Sequence, residues 1–173
     1  MIKQVFIFLS LFFTSCNCVF NHVNEKPFKK ISISSCPIEG KCTATYIENK
    51  SLEIKFDDTG AIYYELNNNF KTSVIKFEYN KTIDTTLQDN FYNEELLFEI
   101  PNQFEEINLI DNELESVKML FGKHCFCRGQ NGIYKIKKGK LNLKREEKTT
   151  SFNLKFEIQN IDHTIKNISE IIK

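Results

Sequence analysis

The fold class is decided by residues 51–66, which read SLEIKFDDTGAIYYEL. In the first six of them apolar and polar side chains alternate, which puts Leu52, Ile54 and Phe56 on one face of an extended strand. Residues 57–60, DDTG, have the composition of a turn, and the alternation resumes after them. This stretch predicts a β-hairpin.

The same alternation recurs downstream and predicts more strands. Further runs with apolar residues at every second position are residues 73–79, 96–100 and 152–158. Lys138-Gly139 separates two shorter runs, and a two-residue turn there would pair Ile136 with Leu141. The C-terminal stretch 161–173 fits either a helix or a strand.

Residues 111–122 depart from this period and predict one α-helix. Asp111 suits the N-cap, and Gly122 suits the C-terminal stop. The apolar residues between them recur at helical spacing: Leu114, Val117, Leu120 and Phe121. We therefore expect a mainly β protein, an antiparallel sheet, sandwich or partial barrel with one α-helix at about 111–122.

Composition narrows the class of protein. The chain has 173 residues with 23 Lys+Arg and 23 Asp+Glu, so its formal net charge is zero. Because it has no long basic stretch either, we expect no nucleic-acid partner. At 41% hydrophobic and 27% charged residues it is neither a disordered polyelectrolyte nor a multi-span membrane protein. Its length suits a signal segment followed by one domain.

The N-terminus has the pattern of a secretory signal peptide. Residues 1–4, MIKQ, carry one positive charge, and residues 5–13, VFIFLSLFF, are almost wholly apolar. Nine helical residues rise about 14 Å, too little for a bilayer core of about 30 Å. Small polar residues follow at once, so we expect export with removal of this segment.

The junction Phe13-Thr14-Ser15-Cys16 resembles the lipobox of bacterial lipoproteins, in which a cysteine after small residues becomes the acylated first residue. The resemblance covers about the first sixteen residues. It implies lipidation of Cys16, an anchor of several acyl chains, and sorting to the outer membrane through Asn17. The alternative is ordinary secretion of a soluble or periplasmic protein.

The lipobox cysteine and the lack of periodic apolar residues in 17–27 divide the chain into three parts. We expect a signal peptide at 1–15, a lipidated tether at 16–27 and a single β-rich domain at 28–173. The domain retains four cysteines in two close pairs, Cys36 with Cys42 and Cys125 with Cys127. On an extended strand Cys125 and Cys127 lie too far apart to bond easily. We therefore expect two disulfides between the two segments, with both such connectivities open.

A metal or thiol site is the alternative interpretation of these cysteines. His124, Cys125 and Cys127 could offer soft ligands to zinc or Cu(I). Their spacing is not typical of zinc sites, and an oxidising compartment removes thiols, so we expect no metal or other cofactor. In the following loop Arg128 and Gln130 are candidates for ligand contact, because a guanidinium binds carboxylate or phosphate well. The alternative is an ordinary surface loop.

The acidic pairs do not predict catalysis. Neighbouring residues on a strand point to opposite faces, so Glu94-Glu95 and Glu105-Glu106 are expected to be solvated rather than to act together. We expect an envelope lipoprotein with a non-catalytic binding or structural role and a protein partner as an open possibility. The alternatives are an inhibitor or immunity-type protein, and a thiol- or metal-dependent enzyme centred on Cys125 and Cys127.

Overall fold

The computed structural model describes residues 36–82, 91–147 and 149–172. Residues 1–27, with the expected signal peptide, Cys16 and the tether, lie outside these ranges. Within them the chain forms eleven strands and one short 3-10 helix, so the prediction of a mainly β fold is confirmed. The strands are β1 Gly40–Ile47, β2 Lys50–Phe56, β3 Ile62–Asn68, β4 Thr72–Lys81, β5 Tyr92–Pro101, β6 Glu106–Ile110, β7 Leu120–Cys125, β8 Gly132–Lys135, β9 Lys138–Glu146, β10 Thr149–Glu157 and β11 Asn167–Ile172.

The strands form three antiparallel sheets. The five-stranded sheet has the order β1-β4-β5-β7-β8, and the four-stranded sheet has the order β11-β10-β9-β6. The third sheet is the hairpin β2-β3. Within the described ranges none of the sheets closes on itself, so the fold is an open sandwich and not a barrel.

The main core lies between the two larger sheets. Every second residue of β4, β5 and β10 points into it, as the alternation predicts. Phe98 packs edge-on against Phe152 with ring centroids 5.4 Å apart, and Phe121 contacts Phe156 at 5.7 Å. These aromatic pairs join the five-stranded sheet to β10.

The hairpin covers the other face of the five-stranded sheet and forms a second core. Leu52 of β2 is buried there with Val74, Leu97 and Leu120. The five-stranded sheet is therefore the middle of three layers, with apolar residues buried on both of its faces.

The predicted hairpin is confirmed, including its turn. Leu52 pairs with Leu66 across the two strands. Asp57 closes the turn, because its Oδ1 accepts hydrogen bonds from Thr59 N at 2.8 Å and from Ala61 N at 2.9 Å. Gly60 has φ +83°, a left-handed conformation that suits glycine.

The predicted α-helix is wrong in type and extent. The helical segment is a 3-10 helix, Asp111–Val117, and it ends at Lys118, which has a left-handed φ of 51°. Leu120 and Phe121 belong to β7 instead. They are buried on opposite faces of the middle layer. Two adjacent apolar residues in a strand that is buried on both faces resemble the apolar spacing of a helix.

The predicted turn at Lys138-Gly139 is also wrong. β8 pairs with β7, whereas β9 pairs with β10 and β6, so the chain crosses between the two large sheets at this point. Ile136 and Leu141 do share the main core, but they reach it from opposite layers. The C-terminal stretch, open between helix and strand, forms β11. In the part of the chain described here, no helix is long and apolar enough to cross a membrane.

Candidate functional site

All four domain cysteines are paired, but the expected connectivity is wrong. Cys36 pairs with Cys42 at a Cα–Cα distance of 5.7 Å, and Cys125 pairs with Cys127 at 5.2 Å. Each disulfide therefore closes a short local loop instead of joining distant segments.

The order of the strands explains this pairing. Cys42 lies on β1 and Cys125 on β7, with β4 and β5 between them. Three strand spacings amount to about 14 Å, whereas the Cα atoms of a disulfide lie within about 7 Å. The local bond is possible because β7 ends at Cys125 and the chain bends at Phe126, so it is not extended as we assumed.

The residues of the alternative metal site do not converge. Cys125 is 6% exposed and bonded to Cys127, whereas the ring of His124, its neighbour on β7, lies on the opposite face of the strand, against Glu95. Among the residues that the structure describes, no three His, Cys, Asp or Glu side chains lie close enough together to hold a metal ion.

Of the two residues expected to contact a ligand, Gln130 is hydrogen-bonded within the domain. Gln130 accepts a hydrogen bond from Lys123 Nζ at 2.6 Å. It also borders a depression of about 550 Å³ beside residues 157–167. Arg128 is exposed in the turn before it.

Two charged side chains close to this turn are buried, which the sequence did not predict. Glu94 and Lys123 face each other on β5 and β7. The Glu94 carboxylate accepts hydrogen bonds from the backbone of Thr164 and Ile165 at 2.6 and 2.8 Å, and from the hydroxyl of Tyr92. Burial, helped by this carboxylate, raises the pKa of Tyr92 to about 12.

The Lys123 ammonium is also held by hydrogen bonds to the fold. Its Nζ donates to the carbonyl of Asp162 at 2.6 Å in addition to Gln130, and it lies 5.5 Å from the centre of the Tyr92 ring. These contacts tie the loop before β11 to the five-stranded sheet. The polar atoms of both charged groups therefore bond to neighbouring parts of the fold.

On the opposite face of β5, Glu95 forms a second polar cluster. It is 3.2 Å from His124 Nε2 and 3.4 Å from Lys76 Nζ, and it accepts a hydrogen bond from the Tyr64 hydroxyl at 3.2 Å. Burial acts to raise the pKa of Glu95, but the bond to His124 and the charge of Lys76 outweigh it and hold this pKa below its usual range. Gly122 makes room for the cluster, since a Cβ there would lie 2.6 Å from Glu95 Cγ.

The outer face of the four-stranded sheet carries the most regular arrangement of polar side chains. One row crosses all four strands in register, and we call it the polar row: Asn108, Asn142, Asn153 and Ser169. Asn142 Nδ2 donates to Asn108 Oδ1, and Ser169 Oγ donates to Asn153 Oδ1. The row lines a depression of about 660 Å³ on this face.

The amides of Asn142 and Asn153 keep hydrogen-bonding capacity. A carboxamide has two N–H donors and an oxygen with two lone pairs, and each of these two amides uses one of them within the row, whereas Asn108 also donates to Glu106. The next row includes Glu106 and Lys144, which lie opposite each other. The alternation within the strands predicts this face, but the pairing of the asparagines depends on a sheet order that the sequence does not contain.

A cleft of about 500 Å³ lies between the hairpin and the 3-10 helix. Its walls mix the apolar side of β2 with charges of both signs, among them Glu53, Glu115, Lys118 and Lys135. Lys118 is bonded to Glu99 at 2.8 Å, and Glu99 also accepts the backbone N–H of Leu52 at 2.8 Å. The bonds of Glu99, on β5, therefore fasten the hairpin strand β2 and Lys118 to the middle layer.

Comparisons with protein-family models, with curated proteins and with solved structures found no match for this chain.

Proposed function

We propose that this chain is a bacterial envelope lipoprotein anchored through Cys16, and that its β domain is a non-catalytic binding module for an uncharged, hydroxyl-rich ligand such as a glycan. The polar row is the observation that carries the proposal. It offers amide and hydroxyl groups without a formal charge, in register across four strands.

The row suits an extended polar ligand in size as well as in chemistry. Four strands at about 4.8 Å spacing span about 14 Å, which is the length of a short oligosaccharide. Each amide can donate to one hydroxyl and accept from another. Because the side chains stand on paired strands, they are held in place before a ligand arrives, which limits the entropy lost on binding.

The buried charges support a non-catalytic role. Glu94 and Lys123 are bound by groups of the fold, and the paired cysteines have no thiol to offer as nucleophile. Among the described residues, the Glu95–His124 pair is bonded to a tyrosine and a lysine and to no serine or cysteine.

The anchor is tested by the intact mass of the protein purified from its own producer. We expect a chain that starts at Cys16 and carries the added mass of acyl chains. Cys16→Ala should remove the need for detergent: a high-salt wash should release the variant from the membrane fraction, whereas the lipidated protein should stay there. A mass that still includes Met1, or a lipid-free mature chain, would contradict the anchor.

The binding face is tested with the double variant Asn142→Ala, Asn153→Ala against a panel of cell-wall polysaccharides and oligosaccharides. Two lost hydrogen bonds of about 1 kcal/mol each should weaken binding roughly 30-fold. Asn112→Ala, an exposed asparagine on the 3-10 helix, is the matched control and should bind like the wild type. Absence of binding to every glycan in the panel, or unchanged binding by the double variant, would refute this role of the polar row.

A further inference from the structure

Both disulfide loops lie at the same end of the five-stranded sheet. Its last row is Gly40 on β1, Lys81 on β4, Tyr92 on β5 and Cys125 on β7. The two loops extend just beyond this row. We call this region the disulfide end and define it as residues 36–42, 81–82, 91–92 and 125–130.

Large apolar side chains project from the disulfide end. Ile38 is fully exposed, Phe126 is 82% exposed and Phe91 is 52% exposed. Ile38 lies inside the ring closed by Cys36 and Cys42, and Phe126 is the residue between Cys125 and Cys127. Two of the three are therefore at the tips of covalently closed loops.

Backbone hydrogen bonds fix the shape of these loops. Gly40 N donates to Pro37 O at 3.2 Å within the first ring, and Thr82 N donates to Glu39 O at 2.7 Å. After the second disulfide, Gln130 N donates to Cys127 O at 3.2 Å. These bonds fix the shape of both loops with their apolar tips exposed, and large exposed apolar side chains that lie together point to a partner surface.

The charged groups at this end favour a negatively charged partner. Among the residues that the structure describes at this end, the exposed cations are Lys41, Lys81, Arg128 and, on the adjoining loop, Lys166, and the exposed anions are Glu39 and Asp162. Lys81 is bonded to Glu39 at 3.1 Å, so three of these described cations remain against one described anion. Apolar tips surrounded by Lys and Arg are the combination that binds the interface of anionic lipid membranes.

We propose that the disulfide end docks on an anionic phospholipid surface. Phe126, Phe91 and Ile38 enter the boundary between headgroups and acyl chains, while Arg128 and Lys41 contact lipid phosphates. The inference rests on the proposed function in that the described residues begin at Cys36, at this end of the sheet and twenty residues after the anchor at Cys16. Twenty residues span at most about 70 Å, which is long enough for the disulfide end to reach the membrane surface.

The chain contains no tryptophan, so one substitution supplies a local reporter of depth. We would prepare Phe126→Trp in the full processed protein and insert it into phosphatidylglycerol vesicles with and without brominated acyl chains. The matched control is Phe70→Trp, because Phe70 is 84% exposed and lies before β4, at the opposite end of the sandwich. Ten strand residues separate the two ends by about 33 Å.

We expect a blue-shifted emission and strong quenching by the brominated lipid for Phe126→Trp, and neither effect for Phe70→Trp. Equal quenching of the two variants, or none for Phe126→Trp, would overturn the inference. The intact mass of the same preparation separates the two proposals. A lipidated chain without quenching at position 126 refutes the docking but leaves the anchor, and quenching in a lipid-free chain supports the docking but refutes the anchor.

A second measurement does not depend on the introduced indole. Cys16→Ala protein should sediment with phosphatidylglycerol vesicles, and Phe126→Ser should reduce that binding at least tenfold, whereas Phe70→Ser should leave it unchanged. If Phe126→Ser and Phe70→Ser bind equally well, the disulfide end is not the lipid contact.

Discussion

Glu170 shows what a single buried carboxyl does to this domain. It lies on β11, faces inward beside Phe152 and is 4% exposed. Its Oε1 has no hydrogen-bond partner in the part of the chain that the structure describes. Burial raises the pKa of Glu170 to about 7. The neutral form therefore suits the native state better than the charged form.

Glu170→Gln should stabilise the protein at pH 8. A carboxyl whose pKa is raised by folding contributes stability below its unfolded value, near 4.5, and this stability is lost as the pH rises through about 7. The amide does not ionise, so the variant should gain on the order of 3 kcal/mol over the wild type between pH 4.5 and pH 8. Urea unfolding at both pH values measures this, with the exposed Glu105→Gln as control. A difference between variant and wild type that is independent of pH would contradict the assignment.

Gly122→Ala should destabilise the domain by about 1–3 kcal/mol through crowding of a packed site. The added Cβ would lie 2.6 Å from Glu95 Cγ and 2.9 Å from His124 Nε2. Glu95→Ala removes the nearest of these atoms, so the double variant should lose less than the sum of the two single losses. Denaturant unfolding of all four proteins measures the coupling, and strictly additive losses would argue against the clash.

The exposure of Glu94 and Glu95 could not be predicted from the residues next to them in the sequence. The alternation correctly assigns them to opposite faces of β5, but the prediction that they are solvated is wrong, since both are buried. The loop before β11 covers Glu94, and the hairpin residue Tyr64 contacts Glu95. Both covering segments are distant in the sequence, so the local pattern does not contain this information.

At the scale of elements, the strands whose apolar residues alternate regularly were predictable. The elements where the chain passes from one layer to another were not. The hairpin β2-β3, β4, β5 and β10 follow from alternation alone. β7 lies in the middle layer and is buried on both faces, so the spacing of its apolar residues in the sequence resembles that of a helix. The cysteine pairing was missed because the prediction assumed that the chain stays extended after Cys125.

The local pairing predicts a definite tryptic peptide. After denaturation without reductant, cleavage at Lys123 and Arg128 should release residues 124–128, HCFCR, as one peptide that is two hydrogens lighter than its reduced form. Mass spectrometry detects this directly. Recovery of the peptide crosslinked to a fragment with Cys36 or Cys42 would instead restore the connectivity expected from the sequence.

At the scale of the whole molecule, the hairpin is part of the cooperative structure although it lies on the outside. It seals one face of the middle layer, where Leu97 and Leu120 are buried with Leu52. The mainly β class was predictable from composition and alternation. The three-layer order was not, because it depends on which strands pair across the chain.

Leu52→Ala should therefore cost about 2–5 kcal/mol of the free energy of unfolding, the loss typical of a truncated core leucine. Phe56→Ala lies in the same strand, but its side chain is 58% exposed, so the loss should stay below about 1 kcal/mol. Thermal or urea unfolding compares the two. Similar losses for both variants would mean that the hairpin does not share the core of the middle layer.

The two short disulfides have a practical consequence. Loops of three and seven residues contribute only about 2 kcal/mol each in the chain-entropy model, and neither bond joins one layer to another. The sandwich is held together by its apolar interior, so the domain should reach its native topology in a reducing cytosol. Oxidation then acts on the shape of two surface tips, and within the residues that the structure describes the reduced domain should differ from the oxidised one only there.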